Sequence, residues 1–270
     1  MKLAYIIPRV IRHFLPDQVA EWMKRRQIII KAGMETLDPK AAAQRYLDHF
    51  NKNKIKITDK TVLIFGYGAT FSTACELLHA GAKKIILWER EELPLPIITQ
   101  DIFQNYPDHF IETSSGIQEK PDLLQIVHAD ITQDVTSSVD KVDLVISSSV
   151  FEHVGEVEEV TQALSHLTKK GGEHFHFVDL RDHYFKYPFE MLTFDAKTWK
   201  NWLNPTSNLN RYRMHQYEAI FMKYFSEVEV KIIESDQAAF QMTKPNIRSA
   251  FLSGDEKKDA ATIISIHAIK

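Results

Sequence analysis

The sequence predicts an α/β fold built on parallel βαβ units, and three observations predict it. Thr61 to Arg90 reads strand, glycine turn, helix, strand, acid. Apolar runs continue to alternate with helical patterns from Leu123 to Val178. Two strand-like runs, Val228 to Ile233 and Thr262 to Ile269, close the chain. Such alternation gives a sheet with helices on both faces, because each crossover helix must return over the sheet before the next parallel strand can pair.

Composition sets the outer bounds. A chain of 270 residues with 44% apolar residues can bury a substantial core. The net charge of −3 gives no basis for an extended nucleic-acid footprint. No apolar stretch has the length of a membrane span. The single cysteine, Cys75, excludes an internal disulfide and falls in a helix, where it reads as a small buried apolar residue. The start of the chain is apolar but broken by Pro8, Arg9, Arg12 and His13, unlike a signal-peptide core. A cytoplasmic protein is expected; the sequence carries no signal for an oligomeric state.

Residues 1–60 read as a helical extension. Asp17 is placed to cap a helix through about Ile30, and Asp38-Pro39 to start another running to about Asn51. Val62 to Phe65 then forms a buried strand, Gly66-Tyr67-Gly68 a tight turn, and Ser72 to Ala80 a helix that Gly81 ends. Ile85 to Trp88 is the next strand and leads into Glu89. Glycines at 66 and 68 let a ligand approach the backbone with no Cβ in the way. The unpaired amides at the start of the following helix favour an anionic group. Glu89, 23 residues after Gly66, stands where an acid accepts both hydroxyls of a ribose. An adenosine-containing ligand is expected. A dinucleotide fingerprint wants a third glycine where Phe71 stands, and that side chain is too bulky for close pyrophosphate packing.

Further on, Pro94 and Pro96 break the chain, Ile97 to Tyr106 reads as a helix, and Ser114-Ser115-Gly116 as a turn. Leu123 to His128 is the third strand of the series; Asp130 follows it, either at the ligand-binding edge of the sheet or as a cap. Val142 to Ser147 is the fourth, followed by Ser148-Ser149-Val150-Phe151-Glu152-His153-Val154. The amphipathic helix Val157 to Leu167 comes next, with Lys169-Lys170 at its negative end and Gly171-Gly172 ending it before a strand from His174 to Val178. His174 and His176 share one face of that strand; with no third ligand in register they read as core or sheet-edge histidines, and no metal site is expected. Asp179 to Tyr224 is rich in aromatics, arginine and asparagine, a mixture suited to a polar substrate with flat or apolar faces. Tyr184, Asn210 and Arg211 are its candidate substrate contacts.

Gly66, Gly68, Glu89, Asp130 and the run VDLVISSSVFEHVGEVEEVTQALSHLTKKGG together resemble the class I S-adenosyl-L-methionine (SAM) methyltransferase family, over residues 61–270. The family's first motif is acid-x-Gly-x-Gly-x-Gly; here Ile64 replaces the acid and Thr70 the third glycine. The resemblance implies a Rossmann-like sheet, mostly parallel with an antiparallel last strand, and a substrate lid at about 180–225. It implies SAM as cofactor, held by Gly66, Tyr67, Gly68, Ile131 and Ser148, with Glu89 on the ribose and Asp130 on the adenine amino group. N-terminal helices often close the pocket in this family, which makes Tyr46 a further candidate contact. The DHY and Asn-Arg elements look like those of small bacterial methyltransferases acting on saccharides or other small metabolites. The expected reaction is methyl transfer to an oxygen or nitrogen of a small polar acceptor. His183, after the fifth strand, is the first choice for the base, and His153, after the fourth, the second. Two other functions compete. An NAD(P)-dependent oxidoreductase is opposed by Phe71 and by the lack of a Tyr-x-x-x-Lys pair. A degenerate domain that binds a ligand or partner without turnover is opposed by the presence of both Glu89 and Asp130.

Overall fold

The structure is a computed structural model that describes residues 3–16, 19, 39–68, 71–90, 100–114, 116–133, 139–183, 186–205 and 208–270. The helix expected from Asp17 to Ile30, Val19 apart, lies outside the described residues, as do Asp38, Thr70, Pro94, Pro96 and Tyr184. The strands are β1 (Thr61–Phe65), β2 (Lys84–Glu89), β3 (Phe110–Thr113), β4 (Gly116–Glu119), β5 (Leu124–His128), β6 (Val142–Ser148), β7 (Thr168–Asp179), β8 (Glu227–Ser235) and β9 (Ala261–Ile269). The main helices are α1 (Leu3–His13), α2 (Pro39–Asn53), α3 (Ser72–His79), α4 (Gln100–Asn105), α5 (Val157–Leu167), α6 (Met214–Phe221) and α7 (Gln237–Thr243).

Seven strands form one sheet in the order β5-β2-β1-β6-β7-β9-β8, and β3 and β4 form a separate hairpin. β1 pairs in parallel with β2 on one side and β6 on the other, and β2 with β5. β9 runs antiparallel to β7: Gly171 N–H donates to Lys270 O and Leu180 N–H to Thr262 O, both at 2.8 Å, so one strand ascends as the other descends. The central strands are near-continuous apolar runs because both their faces are covered; Val62, Leu63, Ile85, Leu87, Leu144 and Ile146 have no exposure or almost none. β8, the edge strand, alternates and carries charge, which discourages further pairing. Strand order reverses between β1 and β6, and ligands of open α/β sheets bind at the carboxyl ends of strands at such a point.

The chain forms two compact units. Met1–Lys31, Ser148–Glu158 and His176–Ala268 make the first; Ala32–Ser147, Glu159–Phe175 and Ile269–Lys270 make the second. The first has a core of Phe189, Met191, Leu192, Trp199, Leu203, Leu209 and Phe240. Arg213 is buried within this unit and holds its carbonyls together, donating to Leu180 O at 2.8 Å, Asp259 O at 3.1 Å and Ala261 O at 2.7 Å. In the second unit Tyr46 is buried beside Phe50 (ring centroids 6.1 Å apart), and Phe50 meets Phe175 edge-on. Cys75 is buried as expected, and burial, then the charge on Glu76, pushes its thiol up to about 12.

Two local expectations change. The structure ends α5 at Leu167 but has no glycine terminator there: Thr168 Oγ1 donates to Leu164 O at 2.7 Å, and Lys169 to Gly172 already belong to β7. Pairing with the chain end at Lys270 and the Lys169–Asp143 ion pair (2.8 Å) draw these residues into the sheet, which outweighs their local helix-end character. A Cβ on Gly172 would come within 2.7 Å of Thr168 Cγ2 and 2.9 Å of Lys169 O, so close packing is what requires glycine there. The second change is the β3–β4 hairpin, of which the sequence reading had only the turn near Gly116.

Candidate active site

The glycine turn leaves β1 with Gly66 at φ +76° and Gly68 at φ +65°, a region that side chains with a Cβ rarely adopt. Among the described residues a Cβ built on Gly68 would meet nothing within 4 Å, so they leave this face of the turn open. Gly66 N–H donates to Trp88 O at 2.8 Å, which brings the turn beside the end of β2, one residue from Glu89. Glu89 is half-buried, and its Oε1 accepts from Arg90 N–H at 3.1 Å. Phe71, at the N-cap of α3, makes no side-chain cap hydrogen bond. It is buried edge-on against Phe110, with ring centroids 6.0 Å apart.

The remaining cofactor candidates have varied surroundings. Tyr67 is buried, its hydroxyl 3.1 Å from His128 Nε2; burial, then the charges of Glu89 and Glu119, pushes the phenol up to about 12. His128, opposite Glu89 in the β2–β5 register, was not singled out in the sequence, although its place at the end of β5 was legible. Asp130 Oδ1 accepts from Thr132 N–H at 3.0 Å and Thr132 Oγ1 at 2.7 Å, and Oδ2 lies 3.4 Å from Arg90. The Thr132 bonds are the main reason its carboxyl is held below the usual range. The cap role foreseen for Asp130 is therefore occupied in the structure. Ile131 is buried, and Ser148 is the buried last residue of β6.

Within the first compact unit, the two candidate bases meet. Glu152, His153 and His183 each offer one ligand atom, and these atoms all lie within 4.8 Å of one another. The imidazoles of His153 and His183 cross at 68° with centroids 5.0 Å apart. Phe151–His153 is a single 3-10 turn, entered through Ser149 at φ +55°, a strained conformation for a residue with a side chain. His153 Nδ1 lies 2.7 Å from Asn208 O; a carbonyl only accepts, so Nδ1 carries a proton. Burial, then the charge of His153, lowers His183 to about 4, which keeps its imidazole neutral at pH 7.

Asn210 and Arg211 have partners inside the fold. Asn210 Nδ2 donates to Phe151 O at 2.6 Å and Val154 O at 2.8 Å, and its Oδ1 accepts from Tyr212 N–H at 3.1 Å and Tyr217 O–H at 3.2 Å. The Asn210 side chain thus clamps the turn that carries Glu152 and His153. Arg211 donates to Met191 O and Phe194 O at 3.2 and 2.6 Å and lies over the rings of Trp199 and Phe251. Asp182, next to His183, is fully buried and holds α1 through Tyr5 and Arg9. Tyr5 has no local pattern that marks it; Arg9 read only as a break in the apolar start of the chain, and Asp182 and Asn208 only as members of the polar, aromatic segment Asp179 to Tyr224, so the sequence did not show the partners they have here.

The fold is that of the class I SAM methyltransferases: a mostly parallel seven-stranded sheet whose antiparallel β9 lies between β7 and β8. Residues 105–176 match the family model described as a methyltransferase domain. Motif, domain match and fold thus all resemble the class I family, and SAM is the cofactor that such domains use. No curated protein matches the chain. Among solved structures, geranyl diphosphate C-methyltransferase from Streptomyces coelicolor, in complex with Mg2+, geranyl diphosphate and S-adenosyl-L-homocysteine, is 10% identical, with a TM-score of 0.50 over 86% of this chain and 79% of that one. A SAM-dependent methyltransferase from Mesorhizobium loti is 10% identical over 83% of this chain and 96% of its own, TM-score 0.46. A chain described as a methyltransferase, in complex with the Trm112 methyltransferase activator of Haloferax volcanii, is 13% identical over 89% and 98%, TM-score 0.46. Among the described residues no helix is long and apolar enough to cross a membrane.

Proposed function

We propose that this protein is a SAM-dependent methyltransferase acting on an oxygen or nitrogen of a small polar acceptor, with saccharides as the first class to test. The observation that carries the cofactor assignment is the 2.8 Å bond from Gly66 N–H to Trp88 O, which sets an open glycine turn beside Glu89. Gly66 and Gly68 would let the cofactor pass close to the backbone, and Glu89 would accept from its ribose hydroxyls. The cofactor supplies an activated methyl group; the chain's own residues bind, orient and handle the proton. His183, neutral at pH 7, offers a lone pair to an acceptor proton, and His153, its ring 5.0 Å away, is the second candidate. In this reading residues 61–270 form the catalytic domain, with a lid at about 180–225 and an N-terminal extension over 1–60.

Calorimetric titration with SAM, S-adenosylhomocysteine and NADH tests the proposal. Saturable binding of the first two, weakened at least about tenfold in Glu89→Ala, supports it. Binding of NADH alone replaces it with an oxidoreductase. The ligand-binding reading without turnover is favoured by one observation, the Asp130 carboxylate already held by Thr132 and Arg90. Binding of SAM with no methyl transfer across an acceptor screen would select that reading.

A further inference from the structure

We propose that Glu152, His153 and His183 form a binding site for one divalent first-row transition cation, which holds the acceptor through two of its oxygens. The cation site stands on geometry alone; what the cation holds rests on the methyltransferase reading above.

The donor set comes first. Two imidazole nitrogens and one carboxylate oxygen, with all ligand atoms within 4.8 Å of one another, form a three-point ligand set. Bonds of about 2.0–2.2 Å to such ligands would bring the donor atoms to roughly 3–3.5 Å from one another, so each need close by little more than ~1 Å. Imidazole ligands select Zn2+, Mn2+, Fe2+ or Co2+ over Mg2+, which prefers an all-oxygen shell. Three protein ligands leave positions open for exogenous oxygens.

The support behind these ligands is the second argument. A metal-binding histidine typically donates its other ring N–H to a carbonyl or carboxylate, which fixes the ring and frees the ligating nitrogen. His153 does this: Nδ1–H donates to Asn208 O at 2.7 Å, and Asn208 Nδ2 returns a bond to His153 O at 2.8 Å. The main chain at Glu152 is held by Asn210 N–H, which donates to Glu152 O at 2.8 Å, while the Asn210 side chain holds Phe151 O and Val154 O on either side. On the other side, Asp182 N–H donates to Pro188 O at 3.0 Å, and its carboxylate is gripped by Tyr5 and Arg9, so the backbone entering His183 is tied down. Glu152 is 2% exposed.

The substrate class follows from the open positions. An acceptor with two adjacent oxygens, as in a vicinal diol or an α-hydroxy acid, could chelate the cation. Engaged as ligands, His153 and His183 would no longer act as bases, and the cation would instead lower the pKa of the coordinated hydroxyl so that its proton passes to water. Simple amines and isolated alcohols would lack this second point of attachment.

The test uses the full, tag-free chain, stripped with EDTA and dialysed. Titration with Co2+, followed by its visible absorption, and with Zn2+, Mn2+ and Mg2+ by calorimetry, should give one equivalent bound, with Mg2+ much the weakest. Glu152→Gln and His183→Ala should each weaken binding about 10–100-fold, while the surface control His166→Ala leaves it unchanged. Should either variant fail to fold, the other decides, together with the rise in melting temperature that Zn2+ or Mn2+ gives the native chain. No saturable binding, or binding unaffected in both variants, overturns the inference. SAM is titrated into the same samples: SAM binding without metal binding sinks the cation site and leaves the methyltransferase standing, and metal binding without SAM binding does the reverse.

Discussion

His153 and Asn208 are joined by a reciprocal pair of hydrogen bonds: the His153 ring N–H donates to Asn208 O at 2.7 Å, and the Asn208 amide donates to His153 O at 2.8 Å. The two residues are 55 positions apart, and Asn208 adopts φ +49° to make the pair. The ring orientation of one candidate catalytic residue therefore depends on a distant asparagine in a left-handed conformation, which asparagine tolerates better than most residues.

Replacing that asparagine should separate its two contributions. Asn208→Ala loses the amide bond and adds backbone strain, so it should destabilise by about 2–3 kcal/mol. Asn208→Gly loses only the side chain and should cost about 1 kcal/mol less. Denaturant midpoints measure both, and equal midpoints for the two variants would refute the strain argument. Turnover should fall in both, because the His153 carbonyl side of the turn is released.

Gly68→Ala should act more on ligand binding than on folding. With φ at +65° and open space around the new Cβ, the strain should cost about 1–2 kcal/mol. The methyl group would project into the open face of the turn and should reduce SAM affinity at least about tenfold. Calorimetry beside a thermal melt checks this; a destabilised protein with native affinity would mean that the cofactor does not pass over Gly68.

Arg213 should be among the most sensitive positions of the first compact unit. Its guanidinium, 1% exposed, bonds three carbonyls and lies over the Phe189 ring at 5.4 Å. Arg213→Met keeps much of the volume and strands those carbonyls, at about 3–5 kcal/mol. A urea denaturation curve that moves by less than 1 kcal/mol (about a fifth of that upper value) would show that water replaces the bonds.

Acid should destabilise the fold through His176. Burial alone lowers this imidazole from 6.5 to about 3, so the folded state keeps it neutral while the unfolded chain protonates it. A depressed folded pKa means that its contribution is complete above the unfolded value and is lost as pH falls from about 6.5 towards 3, at up to about 1.4 kcal/mol per pH unit. His176→Phe suits the neighbouring Phe151 and Phe221 rings and should flatten the slope of stability against pH between 6.5 and 4. Parallel slopes for the two proteins would show that the native chain protonates there without unfolding.

Much of this architecture was legible in the residues. The helix Val157 to Leu167 begins and ends where its apolar spacing puts it, and the strands at Val62, Ile85 and Val142 are continuous apolar runs. The glycine turn was legible because positive φ leaves a residue-type signature. The region after Leu167 was not: Lys169 to Gly172 have the composition of a helix end, yet the antiparallel partner at Lys270 makes them strand. Asn210 and Arg211 read as substrate contacts because polar and cationic side chains in a loop look available. In the folded chain both point their donors at backbone carbonyls.

By itself, then, the sequence determined the succession of the main-sheet strands and the helices between them, the glycine turn at Gly66 to Gly68 and the acid at Glu89, since each depends on neighbours within a few residues. Tertiary structure alone decided that Glu152, His153 and His183 converge, that Asn208 and Asn210 hold the turn beneath them, and that Asp182 ties His183 to α1. The physical reason is range: a hydrogen bond or ion pair between residues tens of positions apart leaves no period or spacing in the chain, and becomes visible only when packing brings the partners within about 3 Å.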